Sequence, residues 1–388
     1  MSGEAITVIY MHMNSLKLTQ TGRALLVTAL SFTGSIAQAA DDAKKAEKPA
    51  EKLIERSQGV ERGRLSIKGR ASFLMRGSFS GLGSFPAQTA AGATTATGGD
   101  RFYDDGFNRV DASAIADGKT WFWSYSNASQ AGGGPGTETI SMNSSTALSD
   151  AAVNDVDSDI APGVEMNYHY KIKDTSKGHW GFVGGLGYSF VNVDDATVAL
   201  GTEVKRTDTF AAAGSGPPAA PFTGTSAGPH PRIDNAPTTS VTAAIAGGSS
   251  VGGLREIDAN ILDFRLGPYA DFDLGKGVTL SLSAGGLGAF IDSEFSVNET
   301  TTITGIGPVL QPGVSATQTT TASSSESGFV FGGFAGLEFG VQISPRTSVF
   351  AGAEYRYLED FDQTLGARRA TLHLDRALNA NLGLSFSF

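Results

Sequence analysis

The chain lacks cysteine entirely, which excludes disulfide bridges, thiolate metal sites and a cysteine nucleophile. Charged residues make up only 18% of its 388 residues, below the roughly 25% of an ordinary globular protein. The formal net charge is −10, so the chain offers no basic surface and we expect no nucleic-acid partner. After the N-terminal segment, the chain also lacks any run of the ~18 apolar residues that a transmembrane helix requires.

Glycine and aromatic residues are abundant instead. The chain contains 50 Gly, 23 Phe and 9 Tyr, against a usual glycine content of about 7%. A composition that is poor in charge and rich in aromatic side chains favours strands over helices. We therefore expect an all-β protein.

The segment 1–39 has the three parts of a secretory signal peptide. Basic residues follow Met13, the apolar segment 24–30 comes next, and Ala37 and Ala39 form an A-x-A cleavage site. We therefore expect translation to start at Met13 and cleavage to follow Ala39. The mature protein then leaves the cytoplasm.

The segment 40–62 is strongly charged but balanced in sign. Between residues 41 and 62 it carries six basic and six acidic side chains and has almost no apolar face. Such a pattern is typical of a solvated segment. We interpret it as a periplasmic linker or a short helix that precedes a third part, residues 63–388.

From residue 65 onward, apolar and polar side chains alternate. Between Leu65 and Phe79 the odd positions are apolar or glycine and the even positions are mostly polar, which predicts a strand with one apolar face. The same period of two recurs in seven further segments. The eight predicted strands cover residues 64–80, 158–174, 178–193, 257–274, 277–294, 328–343, 347–359 and 371–388.

The connections between these strands alternate between short and long. Tight turns are predicted at 174–177, 275–277 and 344–346. Long connections rich in Gly, Ser, Thr and Ala are predicted at 83–117, 194–255, 296–327 and 359–370. Short periplasmic turns and long extracellular loops are typical of a transmembrane antiparallel up-and-down β-barrel. In a soluble sandwich, loop lengths have no reason to segregate to one end.

The strand count depends on the segments before residue 158. If 118–128 and 136–146 add a hairpin, the barrel has about ten strands, and ten is our prediction. If 83–157 is a loop instead, the barrel has eight strands, and twelve is the upper alternative. Bacterial barrels have even numbers of strands. We also expect Thr-rich stretches at 299–303 and 317–321 to extend two strands as a hairpin above the membrane.

The chain ends in an alternating apolar segment that closes on an aromatic residue: Leu382, Leu384, Phe386 and Phe388. This terminus resembles the C-terminal insertion signal of Gram-negative outer-membrane β-barrel proteins, a group that includes small OmpA-like and porin-like barrels. Segment 102–130 also resembles part of some uncharacterised barrels and implies no chemistry. The resemblance implies location in the outer membrane and contact with the barrel assembly machinery, outer-membrane lipids and lipopolysaccharide.

If the apolar face of each strand contacts lipid, charged side chains of both signs point into the barrel. The predicted luminal residues are Lys68, Arg70, Arg76, Glu165, His169, Lys171, Asp263, Arg265, Glu338, Glu354, Arg356 and Asp375. The interior of a barrel of about eight strands is just wide enough for side chains to fill it. We therefore expect these charges to pair with one another and fill the lumen, and a narrow pore is the alternative.

No enzyme motif accompanies the few histidines. The mature chain carries His169, His179, His230 and His373, and His373 lies two residues from Asp375. A hydrolase would need a histidine with Ser, Asp or Asn in fixed positions. The His373 and Asp375 pair could orient an imidazole, but we interpret it as an ion pair at the rim or in the lumen and expect no enzyme.

The acidic pattern at Asp155, Asp157 and Asp159 begins like a calcium-binding loop, but Ile160 stands where such a loop requires glycine. We therefore expect no metal site and no cofactor. The aromatic segment 121–125 is interpreted as part of an interfacial girdle.

Together these features predict an integral outer-membrane barrel with a structural or surface-interaction role and an extracellular ligand that the sequence does not identify. A narrow porin-like channel for small solutes or ions is the first alternative. An outer-membrane hydrolase or acyltransferase is the second.

Overall fold

The computed structural model describes residues 63–85, 100–110, 117–212, 214, 216–306 and 315–388. Within these residues the chain forms 21 β-strands and one turn of 3-10 helix at Ala128–Gln130. No helix in this part of the chain is long and apolar enough to cross a lipid bilayer. The predicted signal peptide, 1–39, and the charged segment, 40–62, lie outside the described residues.

The strands are numbered in chain order. They are β1 (Gly63–Phe73), β2 (Arg76–Leu82), β3 (Arg101–Tyr103), β4 (Gly106–Asn108), β5 (Lys119–Thr120), β6 (Trp123–Tyr125), β7 (Ala131–Gly132), β8 (Thr139–Ala147), β9 (Ala151–Asp157), β10 (Ala161–Thr175), β11 (Gly178–Asp195), β12 (Ala199–Ala211), β13 (Phe222–Thr223), β14 (Ile233–Asp234), β15 (Thr239–Gly275), β16 (Val278–Ile303), β17 (Thr317–Ser344), β18 (Thr347–Leu358), β19 (Phe361–Leu365), β20 (Arg368–His373) and β21 (Ala377–Ser387).

Eight of these strands close into a barrel. They pair in the order β1, β10, β11, β15, β16, β17, β18 and β21, and β21 pairs with β1 to complete the ring. Every pairing is antiparallel and joins strands that follow one another around the ring in chain order. The predicted all-β antiparallel barrel is therefore confirmed. The ring contains eight strands, so the expected count of ten is wrong and the alternative of eight corresponds to the structure.

The two extra strands expected in the barrel belong to other sheets. Segment 118–128 contains β5, which pairs with β14, and β6, which pairs with β4 and β13. Segment 136–146 overlaps β8, which pairs with β12 and β7. The alternation along each segment indicates a strand correctly, but a local period does not specify which strand becomes its neighbour.

The connections differ in length at the two ends of the barrel. At the inner end, two-residue turns join β10 to β11, β15 to β16 and β17 to β18, and at the outer end all connections are long. The Thr-rich hairpin is confirmed, because β16 and β17 stay paired as far as Thr302 and Thr317. The expected loop 194–255 is partly wrong, because residues 239–255 belong to the 37-residue strand β15.

A four-stranded sheet continues one half of the barrel wall at the outer end. Its order, β19-β20-β2-β9, repeats the order β18-β21-β1-β10 of the barrel strands to which its members are joined. Side chains of this sheet pack with those of β11, β15, β16 and β17 in one apolar core. An added Cβ on Gly77 of β2 would lie 2.7 Å from Cγ1 of Val193 on β11, so close approach requires glycine there.

These packed sheets enclose an apolar core in the outer half of the barrel. Phe79 of β2 is fully buried, and its ring centroid lies 5.8 Å from that of Phe295 on β16. Leu372 of β20 and Ile291 of β16 belong to the same core. Apolar side chains therefore occupy the interior of this half of the barrel.

A second core lies in the small sheets outside the barrel. Trp123 and Tyr125 are buried with stacked rings whose centroids are 5.6 Å apart, and Phe222 packs on Trp123 at 4.6 Å. The indole N–H of Trp123 donates to the carbonyl oxygen of Pro231 at 2.8 Å. The interpretation of these two rings as girdle residues is wrong, since they form the core of the outer sheets.

The carboxylate of Asp104 is buried in this outer region, between β3 and β4. Its Oδ2 accepts the backbone N–H of Ser145 at 2.6 Å. Burial raises the pKa of Asp104 to about 6, the bonds from Ser145 oppose the rise, and the charges of Asp105 and Glu203 add to it. Because the folded pKa exceeds the unfolded value of about 4, the stability that protonation supplies is lost as pH rises between these values.

Phe79→Ala should lower the free energy of unfolding by about 3–5 kcal/mol, because a large cavity would replace the ring between the two sheets. Urea unfolding in detergent, followed by tryptophan fluorescence, measures the change. The matched control is Leu148→Ala, since Leu148 is 45% exposed and its loss should cost less than about 0.5 kcal/mol. Equal effects of both substitutions would contradict the packed apolar core in the outer half of the barrel.

Asp104→Asn should raise the free energy of unfolding by about 2 kcal/mol at pH 7.5 and change it little near pH 4. The amide keeps the acceptor for Ser145 without the cost of a buried charge. Urea titrations at the two pH values measure the difference, with Asp155→Asn as an exposed control. A gain of the same size at both pH values would contradict the elevated pKa.

Candidate functional site

A layer of charged side chains crosses the barrel interior below the apolar core. Its members come from five strands of the ring and are called the luminal charge cluster. They are Lys68 and Arg70 on β1, Glu165 on β10, Asp263 and Arg265 on β15, Glu338 on β17, and Glu354 and Arg356 on β18. The cluster contains four cations and four carboxylates, so its formal charges balance.

The period of the strands places these side chains inside. Ile67 of β1 is 51% exposed on the outer face of the barrel, whereas Lys68 is 2% exposed on the inner face. Lys68 is the direct register partner of Glu165 across the β1–β10 pair. Directly opposed residues of antiparallel strands have their Cβ atoms about 5 Å apart, which is the spacing that an ion pair between these side chains requires.

Glu165 lies at the centre of the cluster. Its carboxylate is 3.0 Å from Nζ of Lys68, 2.8 Å from a guanidinium nitrogen of Arg265 and 3.2 Å from one of Arg70. It also forms an ion pair with Arg356. One buried carboxylate therefore contacts all four cations of the cluster.

The other carboxylates link these cations to one another. Arg356 donates to Asp263 at 2.9 Å and to Glu354 at 2.5 Å. Arg70 also donates to Asp263, and Arg265 to Glu354. The exposure of every one of these side chains is 5% or less, so the cations are held by fixed carboxylates.

Two glycines make room for the guanidinium groups. An added Cβ on Gly187 of β11 would lie 2.5 Å from Asp263 Oδ1 and 2.7 Å from Arg70 Nη1. An added Cβ on Gly163 of β10 would lie 2.8 Å from Nε of Arg70. Strand glycines are also expected wherever a barrel wall bends, so glycine in a strand does not by itself indicate this role.

A second ion-pair group lies farther out in the barrel. Arg255 of β15 is fully buried and donates to Asp195 at 2.5 Å and to Glu299 at 2.6 Å. Arg368 of β20 donates to the other oxygen of Glu299 at 2.9 Å. These residues are absent from the predicted luminal set. An even offset from Arg265 along β15 is the signal that places Arg255 on the same face.

A third group lies at the inner end of the barrel. Arg64 and His179 both contact the carboxylate of Asp271, at 2.5 and 3.2 Å. His169 lies nearby, with its ring edge-on to Tyr269 at 4.9 Å. His169 therefore faces the interior but lines a small polar cavity with Arg64 rather than joining the luminal charge cluster.

Three residues of the predicted luminal set lie elsewhere. Lys171 pairs with Asp174 beside the inner turn at 3.1 Å. Arg76 lies on β2 beyond the break in the first strand and pairs with the exposed Asp155 at 2.8 Å. Asp375 lies in the connection that follows β20. The wall bends at 74–75 and at 374–376, so the inward alternation does not continue through either break.

Three residues of the predicted insertion signal lie on the last barrel strand, β21, and Phe388 follows its final residue. Leu382, Phe386 and Phe388 are exposed on the outer face, and Leu384 is partly exposed. β21 pairs with β1 on one side and β18 on the other, so this strand completes the ring. The predicted cleavage residues, Ala37 and Ala39, lie outside the described part of the chain.

Every strand of the ring carries large apolar side chains on its outer surface. The exposed fractions of these apolar side chains range from 37% to 66%. Examples are Ile67, Met166, Phe182, Phe264, Leu282, Phe339, Tyr355 and Leu382. Closure of the ring leaves none of its strands with an unpaired edge, which is the condition for spanning lipid with strands. The apolar band supplies the surface that contacts lipid.

Glu165→Gln should lower the free energy of unfolding by about 3–5 kcal/mol, because it leaves four buried cations with an uncompensated positive charge. Urea unfolding with heat-modifiable gel migration measures the loss. Asp174→Asn is the matched control, since it removes an acidic partner at an exposed turn. A loss below about 1 kcal/mol for Glu165→Gln would mean that the cluster does not depend on its central carboxylate.

Similar chains are found among solved structures. No family model and no curated protein sequence matches the chain. Among solved structures, it is similar to the outer membrane protein OprG of Pseudomonas aeruginosa (12% identity, 85% of this chain and 98% of that chain, TM-score 0.30). It is also similar to the outer membrane protease OmpT of Escherichia coli (8%, 85% and 98%, 0.31), and to Ail, the attachment invasion locus protein of Yersinia pestis (12%, 84% and 99%, 0.23). The closed ring of antiparallel strands with its apolar exterior is, by its own geometry, the architecture of a transmembrane β-barrel.

Proposed function

We propose that the protein is a sealed outer-membrane barrel that anchors its outer sheets at the cell surface and does not conduct solutes. The observation that carries this proposal is the double obstruction of the interior. The luminal charge cluster fills one layer, and the apolar core around Phe79 fills the next. A solute would have to displace both.

Energetics also favour a sealed lumen over a narrow channel. A pore that selects ions needs charged groups that are free to exchange their partners with the permeating ion. In the luminal charge cluster each cation already contacts buried carboxylates, and removing one partner from such a pair costs about 3–5 kcal/mol. A solute that passes through this layer would have to separate such ion pairs, at that free-energy cost for each pair.

The outer sheets are the part of the molecule available for a surface role. The sheet built from β12, β8 and β7 extends from the long strand β15, and the aromatic core around Trp123 stabilises the smaller sheets beside it. Ordered sheets present a defined surface in a way that unstructured loops do not. This order supports interaction with another molecule at the cell surface.

Export and insertion follow from the same proposal. A signal peptide removed after Ala39 would deliver the chain to the periplasm, and the apolar C-terminal segment would be recognised by the barrel assembly machinery. Outer-membrane lipids and lipopolysaccharide would then contact the apolar band. The N-terminal sequence of the mature protein, isolated from membranes, tests the cleavage position.

The refolded mature chain should produce no single-channel steps in a planar lipid bilayer, because both layers of the lumen are filled. Heat-modifiable gel migration shows that the sample is folded, and a sixteen-stranded porin serves as the conducting control. Stable discrete steps would overturn the sealed-barrel proposal and favour the channel. In that case, charge reversal at Arg265 or Glu354 should change the ion selectivity.

A further inference from the structure

Three side chains on the solvent-facing side of the four-stranded sheet β19-β20-β2-β9 form a continuous hydrogen-bonded chain. The hydroxyl oxygen of Ser78 lies 2.9 Å from Nε2 of His373. Nδ1 of the same ring lies 2.8 Å from Oδ2 of Asp360. One ring nitrogen therefore contacts a hydroxyl and the other contacts a carboxylate, which is the arrangement that makes a serine nucleophilic.

The register of the sheet brings these residues together. Arg76 and Ser78 of β2 lie opposite His373 and Thr371 of β20, so Ser78 and His373 are diagonal neighbours on one face. Asp360 immediately precedes β19, whose first residue pairs with Leu372. Ser78 and His373 thus come from two adjacent strands, and Asp360 is the residue that precedes the third.

The surrounding polar groups are already paired with one another. Asp362 accepts from Arg369 at 3.1 Å and from the hydroxyl of Thr371 at 2.5 Å. Arg76 donates to Asp155 at 2.8 Å. Asp360 is therefore the carboxylate that serves His373, and the adjacent ion pairs do not compete for it.

A backbone donor also points at the serine. The N–H of Asp155 lies 3.4 Å from the Ser78 hydroxyl oxygen, where the register between β2 and β9 shifts. Asp155 has φ +56°, a left-handed conformation that aspartate adopts more readily than most non-glycine residues. The register shift thus places a main-chain donor beside the Ser78 oxygen, where it helps to hold the hydroxyl in position.

The site lies at the outer edge of the apolar exterior. Tyr355 and Tyr357 of β18 are 47% and 51% exposed and precede Asp360 by five and three residues. Leu74, 59% exposed, precedes Ser78 by four. Tyrosines at this position of a membrane barrel mark the headgroup level, where the ester bonds of acyl lipids lie. The His373 side chain is 29% exposed, so an ester can reach it.

We propose that Ser78, His373 and Asp360 form a serine hydrolase site for carboxylic esters. The lipid ester as substrate depends on the membrane position in the proposed function, whereas the nucleophilic serine does not. This activity goes beyond a sealed anchor and differs from the expectation of no enzyme.

The chemical steps balance with water as the only co-reactant. His373 Nε2 takes the Ser78 proton as the oxygen attacks the ester carbonyl, and the alcohol leaves with that proton, so an acyl-serine remains. Water then attacks the acyl-serine while His373 takes its proton, and the carboxylic acid is released as the proton returns to Ser78. Asp360 is a positioning residue, since it holds the Nδ1–H of the ring.

The first experiment tests the nucleophile without any membrane. The full mature chain, refolded in detergent, is treated with a fluorescent fluorophosphonate, from which an activated serine displaces fluoride. We expect one label per chain, located at Ser78 by peptide mass analysis, and no label in Ser78→Ala. Ser80→Ala is the matched control, because Ser80 lies two residues along the same strand and should leave the labelling unchanged.

The histidine and aspartate are tested by kinetics. His373→Ala should lower the rate of a soluble p-nitrophenyl ester by ~10²–10⁴-fold. Asp360→Asn should lower kcat with little change in KM, since the ring loses its orientation but the ester contacts remain. Unchanged rates in both variants, with heat-modifiable folding intact, would overturn the proposal, as would equal labelling of wild type and Ser78→Ala.

The source of the ester is resolved by a second substrate. The folded barrel in vesicles of phosphatidylethanolamine and phosphatidylglycerol should release fatty acid at a rate that Ser78→Ala abolishes. Hydrolysis of the soluble ester without fatty-acid release would retain the triad and overturn only its placement at the lipid headgroups. Single-channel recording of the same samples tests the sealed barrel independently of either activity.

Discussion

Charge balance inside the barrel is the constraint on which the other features depend. Four cations and four carboxylates are removed from water, and each costs several kcal/mol unless a partner replaces the lost hydration. Glu165 meets this requirement only if β1, β10, β15 and β18 keep their register, because a slip of one residue would turn every side chain to the other face. The glycines at 163 and 187 follow from the same constraint, since a methyl group would occupy the space of the Arg70 guanidinium.

The chain is long for a ring of only eight strands, and the bent half of the wall accounts for many of the additional residues. Half of the wall bends at four joints and continues as a sheet that packs against the other half, so its residues become core rather than additional wall. The long strands β15, β16 and β17 supply the opposite surface. At the outer end of the barrel, two sheets therefore pack face to face around an apolar core, as in a soluble protein. The long strands contribute to both this core and the barrel wall.

Several parts of this architecture could be predicted from the sequence because they depend on local periods. Alternation at Lys68, Glu165 and Arg265 indicated which side chains point away from the apolar face, and the turn lengths indicated the two ends. The breaks at 74–75 and 374–376 have no such signal. Arg76 and Asp375 were therefore predicted to lie in the lumen, as if the barrel strands continued through these breaks. The strand count was too high because segments 118–128 and 136–146 have the right period but pair outside the ring.

The partner of His373 shows why local spacing misleads in a sheet. Residues two apart on a strand share a face, but their Cβ atoms are separated by two rises of about 3.3 Å. Residues directly opposite on the next strand are about 5 Å apart, and diagonal ones remain within reach of long side chains. Asp360 and Ser78 therefore contact the imidazole, whereas Asp375, nearer in sequence, lies in the connection after β20. Chemistry in such a fold arises between strands, and only the register of the sheet shows it.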